Sequence, residues 1–157
     1  MKTLVVFYSR TGTTRLVAQK IAEMVKGDIE EIRDTKNRAG IIGFLRSGYE
    51  SARRKLTVIA ETKYDPVQYD LVVIGTPVWA GNISPPTRTY MAKNKEKIKK
   101  VAFFCTLSMK DAPNIFKEMT EACQKEPVAT AMFRRKDVIS NEYANKLKEF
   151  VSRIESL

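Results

Sequence analysis

A chain of 157 residues, 43% of them hydrophobic, is sized for a single domain with its own core, and its longest apolar runs are of strand length, too short for a membrane span or a secretory leader. The absence of histidine removes the commonest general base and metal ligand, and two cysteines without metal-ligand spacing suit reduced thiols, so hydrolytic and metal-dependent chemistry lose support and a cytoplasmic protein is expected. With 28 Lys and Arg against 18 Asp and Glu, the formal charge of +10 favours anionic substrates or acidic partners.

The chain opens on an apolar run, Leu4 to Tyr8, that breaks into Ser9-Arg10-Thr11-Gly12-Thr13-Thr14 and passes at once into a helical pattern. This predicts strand, loop, helix. The helix runs from about Thr13 to Lys26, with Leu16, Val17, Ile21, Met24 and Val25 on one face and Gly27 as a stop. Four hydroxyls and a glycine within six residues, backed by the free N–H groups and positive end of a helix, suit a phosphate monoester. The plain alternative is an ordinary helix cap. Other phosphate loops do not fit: there is no Gly-Lys-Ser/Thr ending and no G-x-G-x-x-G. Acidic residues, as in a phosphoryl-accepting receiver, do not follow the first strand. A cysteine phosphatase loop would need Arg where Asp111 follows Cys105.

Ile29 to Ile32 forms a short second strand, and then Asp34 to Tyr69 runs far longer than a usual crossover. Within it, Ile41, Phe44, Leu45, Tyr49 and Ala52 recur at helical spacing, with Arg46, Arg53 and Arg54 around them. Such an apolar stripe is expected to dock on the sheet; the alternative is a basic lid or docking element beside the ligand loops.

Asp70 to Gly75 is a near-continuous β-branched run, as expected of a strand buried on both faces of a parallel sheet. It ends in Thr76-Pro77-Val78-Trp79-Ala80-Gly81-Asn82, which carries the only tryptophan of the chain at the carboxyl end of a strand, where open α/β sheets place ligands. Trp79 could stack on a planar heterocycle or plug a gap between helices. Pro77 stiffens the loop, and Gly75 and Gly81 permit close backbone approach. Ser84 is expected to cap the next helix, with Pro85 in its first turn. A fourth strand, Val101 to Cys105, leads into Thr106 to Asp111. The helix that follows has Phe116, Met119 and Cys123 inward, Cys105 and Cys123 reading as small buried hydrophobes. Val128 to Phe133 is the fifth strand. The last helix, from about Asn141, turns Tyr143, Leu147, Phe150, Val151 and Ile154 to the core.

Strict alternation of strands and helices predicts one α/β domain over residues 1–157, a doubly wound three-layer sandwich with a five-stranded parallel sheet of order 2-1-3-4-5 and an extended insertion at about 34–69. The first and third loop-bearing strands then meet at the switch point. The basic residues cluster near Arg46 and Arg53 to Lys55, from Lys93 to Lys100, and at Arg134 to Lys136, without the aromatic interleaving of a single-strand binding surface. Nucleic-acid binding is not expected.

The first loop resembles the flavin mononucleotide (FMN) phosphate loop of the flavodoxin-like family, T/S-x-T-G-x-T after strand one. Ser9, Thr11, Gly12 and Thr13 carry the match, with Thr14 adjacent. Gly75 to Asn82 resembles the family's second loop, which borders the isoalloxazine ring, and Thr106-Leu107-Ser108-Met109 lies where the third should be, without the aromatic that flavodoxins proper place there. The resemblance implies that Ser9, Arg10, Thr11, Gly12, Thr13 and Thr14 hold the phosphate. Thr76, Pro77, Val78, Trp79, Ala80 and Gly81 would border the ring, and Thr106 to Met109 its other rim, with Leu107 or Met109 covering the exposed face. It implies an FMN-binding electron-transfer protein with one flavin face either open or so covered, and a monomer or small homo-oligomer is expected. Its partner would be a redox protein of acidic character, although the family's electron shuttles are themselves usually acidic. The same loops, with Arg88-Thr89-Tyr90, also resemble flavodoxin-like quinone reductases, which implies as the alternative an NAD(P)H-dependent FMN reductase acting on a quinone or similar acceptor. A flavin-free binding module on the same scaffold is a third reading.

Overall fold

The structure, a computed structural model, describes residues 1–108 and 111–157. Strand β1 (Thr3–Phe7) is buried along its whole length, because alternate side chains serve opposite faces: Leu4 and Val6 one, Val5 and Phe7 the other. It pairs in parallel with β2 (Asp28–Glu31) and with β3 (Leu71–Trp79). Strand β3 pairs in parallel with β5 (Val101–Leu107), and β5 with β6 (Pro127–Arg134). Across the sheet the order is β2-β1-β3-β5-β6. The expectation of five parallel strands lacked β4 (Asn82–Ile83), which folds back antiparallel on the end of β3. Two residues give no hydrophobic period to read, and so the sixth strand left no signal in the sequence.

Helices α3 (Pro85–Asn94) and α4 (Ile115–Cys123) cover one face, placing Tyr90, Met91, Ile115, Met119 and Cys123 on Leu4, Val6, Ile74 and Phe103. Helices α1 (Thr13–Val25), α5 (Arg135–Ile139) and α6 (Ala144–Glu155) cover the other. The expected inward face of α6 is found buried. In α1 the stripe is rotated: Val17, Ala18, Ile21 and Ala22 face the sheet, while Leu16 and Met24 are exposed. Small Ala18 and Ala22 let the helix lie close to the strands, a role that hydrophobic size alone does not reveal. Phe116 is only half-buried, and Glu118 instead turns inward. Ser84 occupies the cap position of α3 and Pro85 its first turn, but the Ser84 hydroxyl bonds Thr87 Oγ1 at 2.9 Å and makes no cap to the backbone. Both cysteines are buried and unbridged; burial pushes the Cys105 thiol up to about 12 and that of Cys123 to about 11.

The insertion overturns an expectation. Helix α2 (Gly40–Ala52) turns Gly43, Ser47, Glu50 and Ser51 inward, and its apolar stripe outward: Ile41 is 80% exposed, Leu45 64% and Phe44 60%. The reason is polar and steric. Arg38, nearly fully buried, ion-pairs with Asp34 and, at 2.7 Å, with Glu50, and donates to Ser47 Oγ; Lys36 reaches Glu50 at 2.8 Å. A Cβ on Gly43 would stand 2.2 Å from the Arg38 carbonyl carbon, so only glycine allows this approach. The Ser51 hydroxyl lies 2.8 Å from the carbonyl oxygens of both Trp79 and Ile83, which ties α2 to the β3–β4 hairpin. Asp34 and Ile59 form an antiparallel bridge that closes the base of the insertion.

Burial alone would raise the Glu50 carboxyl, but the bonds from Lys36 and Arg38 outweigh it and hold the group below its ordinary value. A carboxylate depressed by folding stabilises the fold above its unfolded value and loses that contribution as pH falls through the folded one. Acidification below about pH 4 should therefore release α2 before the sheet unfolds. Amide hydrogen exchange in α2 against β3 is the measurement, and equal protection of both elements throughout the titration would contradict it.

Candidate functional site

Three loops at the carboxyl ends of β1, β3 and β5 enclose a cavity of about 580 Å³, within the range of small-molecule sites. The first follows β1. Gly12, at φ +98°, turns the chain into α1 in a conformation suited to glycine. Ser9 Oγ accepts from Gly12 N at 3.1 Å and Arg15 N at 3.3 Å, folding the loop over itself. Ser9 and Gly12 thus shape the loop, while Arg10, Thr11, Thr13 and Thr14 line the cavity. Among the described residues, no acceptor engages the N–H groups of Arg10, Thr11, Thr13 or Thr14. They form a set of free donors at the positive end of a 13-residue helix.

The second loop is the β3–β4 hairpin. Ala80 and Gly81 both have positive φ, +49° and +77°, which is the twisted two-residue turn of a tight hairpin. Pro77, Val78, Trp79, Ala80 and Gly81 line the cavity. Thr76 does not: it is fully buried, and its hydroxyl accepts from Ser84 N at 3.1 Å to anchor the hairpin. Gly75 serves the core rather than a ligand, since the ring of Phe104 lies where its Cβ would be. Trp79 is half-buried and held edge-on by Tyr8, ring centroids 5.5 Å apart, with the Arg38 guanidinium 5.6 Å from its own ring. Trp79 thus packs on the core and also forms cavity wall. Burial pushes the Tyr8 hydroxyl up to about 12, so it stays protonated at neutral pH.

The third loop contributes Thr106, Leu107 and Ser108; Met109 lies outside the described residues. Thr106 Oγ1 meets Thr14 Oγ1 at 2.7 Å in a buried contact that fastens the third loop to the first.

The insertion forms a fourth wall, in keeping with its alternative reading as an element beside the ligand loops and against its expected docking on the sheet. Phe44, Ser47 and Gly48 of α2 line the cavity, with Asp111, Ala112 and Arg135 at its rim. Phe44 supplies an aromatic where the third loop lacks one, and the Arg10 guanidinium lies 5.1 Å from its ring. Its position in the amphipathic stripe was visible, but that stripe read as core-facing. Asp111 is paired with Arg134 at 2.6 Å, whereas Arg135 makes no ion pair among the described residues, so the rim is cationic.

The cavity thus lies at the topological switch point of a doubly wound α/β sheet, with free donors at the first strand-to-helix turn and aromatic walls from the neighbouring loops. A family model described as flavodoxin matches residues 2–154, and the chain belongs to that family. Solved structures agree on the fold. A flavoprotein in complex with FMN from Lactobacillus acidophilus is 23% identical, with a TM-score of 0.75 over 91% of this chain and 98% of that one. A flavoprotein from Bacteroides uniformis is 25% identical, with a TM-score of 0.73 over 87% and 94%. Oxidised flavodoxin 2 from Bacillus cereus is 16% identical, with a TM-score of 0.59 over 99% of each chain. No curated protein matches the sequence. No helix of the described residues is long and apolar enough to cross a membrane.

Proposed function

We propose that the cavity holds FMN and that the protein is a flavodoxin-type electron carrier. The observation that supports this most directly is one cavity bounded both by unengaged N–H donors at the start of α1 and by two aromatic side chains, Trp79 and Phe44. A phosphate monoester needs the former and a planar ring the latter, so the residues present suit the group. The N–H groups of Arg10, Thr11, Thr13 and Thr14, with the Thr11 and Thr13 hydroxyls, would hold the phosphate, and Arg10 would add charge. Trp79, Phe44 and Leu107 would shield the ring from water, and backbone groups of the hairpin and of Thr106 to Ser108 would bond its edge. When bound, the flavin supplies the redox reactivity, and this chain supplies orientation and field.

A second reading, an NAD(P)H-dependent FMN reductase acting on a quinone, draws on Arg10 and Arg135 at the cavity, since two guanidinium groups suit an anionic dinucleotide. Anaerobic titration of the FMN-loaded protein separates the two. Flavin absorbance unchanged by NADPH and bleached only by dithionite is the result expected of the carrier; direct bleaching by NADPH identifies the reductase. A protein that cannot be loaded with FMN refutes both.

A further inference from the structure

We infer that the outward face of α2 is the docking surface for an acidic electron-transfer protein that presents an apolar centre rimmed by carboxylates. The inference rests on the carrier reading above and names its partner's chemistry.

Three observations carry it. First, Ile41, Leu45 and Tyr49 follow at intervals of four and form one row on the helix, flanked by Ile42; all are more than half exposed, Ile42 to 78%. A contiguous apolar face of this kind is unusual on a free surface and marks a contact site. Fold stability does not explain it, because α2 is held by the opposite face, through Ser47, Glu50 and Ser51. Second, the surroundings are of one sign. From Ala39 to Val58 the only carboxylate is Glu50, which is buried, whereas Arg46, Arg53, Arg54 and Lys55 are exposed. Arg53 and Lys55 lie 5.4 Å and 5.0 Å from the Tyr49 ring, placing cations directly against the apolar row. Third, the face is continuous with the cavity, since Phe44 belongs to both. A partner seated on α2 is therefore beside the redox site.

Charge decides among occupants. A second copy of this chain would bring Arg46, Arg53 and Lys55 against their own kind, at a cost that the apolar contact must overcome. A carboxylate-rimmed protein meets both the apolar row and its cationic border, and is steered to it over a distance set by salt.

The test is stopped-flow oxidation of a reduced plant-type [2Fe–2S] ferredoxin, an acidic probe, by the FMN-loaded protein. Flavin uptake is measured first by fluorescence quenching, and failure at that stage refutes the cofactor reading rather than the docking surface. With flavin bound, the second-order rate constant should fall steeply with added salt. It should drop at least tenfold in Ile41→Ser/Leu45→Ser and in Arg46→Glu/Arg53→Glu, with reduction by dithionite unchanged. Variant rates equal to the parent's overturn the inference. So does binding to phosphatidylserine vesicles that these variants abolish while ferredoxin oxidation persists. A dimer in sedimentation velocity that Ile41→Ser/Leu45→Ser dissociates, with ferredoxin oxidation unaffected, overturns it in favour of self-association.

Discussion

Gly75→Ala lowers stability by about 1–3 kcal/mol, even though alanine is a small and apolar residue. Gly75 lies in the middle strand β3, and a Cβ there would stand 2.0 Å from Phe104 Cζ and 2.4 Å from Cε1. The Phe104 ring cannot withdraw freely, because it is fully buried and packs edge-on against Phe133, which in turn meets Tyr143. The added methyl group therefore forces either the ring off its rotamer or β3 away from β5. Chemical denaturation of parent and variant measures the loss. Phe104→Leu in the Gly75→Ala background should recover part of it, because the ring atoms that clash are gone. A double variant no more stable than the sum of its single losses would show that the ring is not the cause.

Thr13→Glu separates folding from cofactor binding. Thr13 is the first residue of α1, where a carboxylate interacts favourably with the helix dipole, so the apoprotein should keep its stability or gain a few tenths of a kcal/mol. The same carboxylate enters the cluster of free N–H groups proposed to hold the phosphate. It would repel the dianion and take its donors. Charge-assisted hydrogen bonds are worth about 1.5–3 kcal/mol each, so losing two lowers FMN affinity at least a hundredfold. Riboflavin, which lacks the phosphate, should lose far less. Fluorescence titration with both ligands reads this directly. Equal losses for FMN and riboflavin would mean that the loop does not bind the phosphate.

The parts of this molecule that were legible share a cause. β1 and β3 are long apolar runs that end in turn-forming residues, and a sheet buried on both faces leaves such runs little freedom. The loop from Ser9 to Thr14 was legible because its hydroxyls and single glycine are local chemistry. What was not legible depended on particular polar and steric pairings rather than on patterning. The inversion of α2 follows from a buried guanidinium at Arg38 that needs Asp34 and Glu50, and from a glycine that must clear the backbone of residue 38; hydrophobic periodicity records neither. Phe44 is absent from the expected site residues for the same reason, although the alternative reading of the insertion sets it beside the ligand loops. Ser9, Gly12 and Thr76, which the family resemblance gives to the cofactor, do not line the cavity, and their hydrogen bonds and backbone angles hold the loops in shape.

The contact between Thr14 and Thr106 fixes part of the cavity in advance of any occupant. Two hydroxyls 92 positions apart meet at 2.7 Å inside the protein and join the first ligand loop to the third. The bond ties the first turn of α1 to the end of β5, so the two elements from which these loops spring share a restraint made during folding. Whatever entropy is lost in fixing these two anchor points is lost when the chain folds rather than on association. The floor of the cavity between these two points is therefore set by the fold itself, independently of what occupies it.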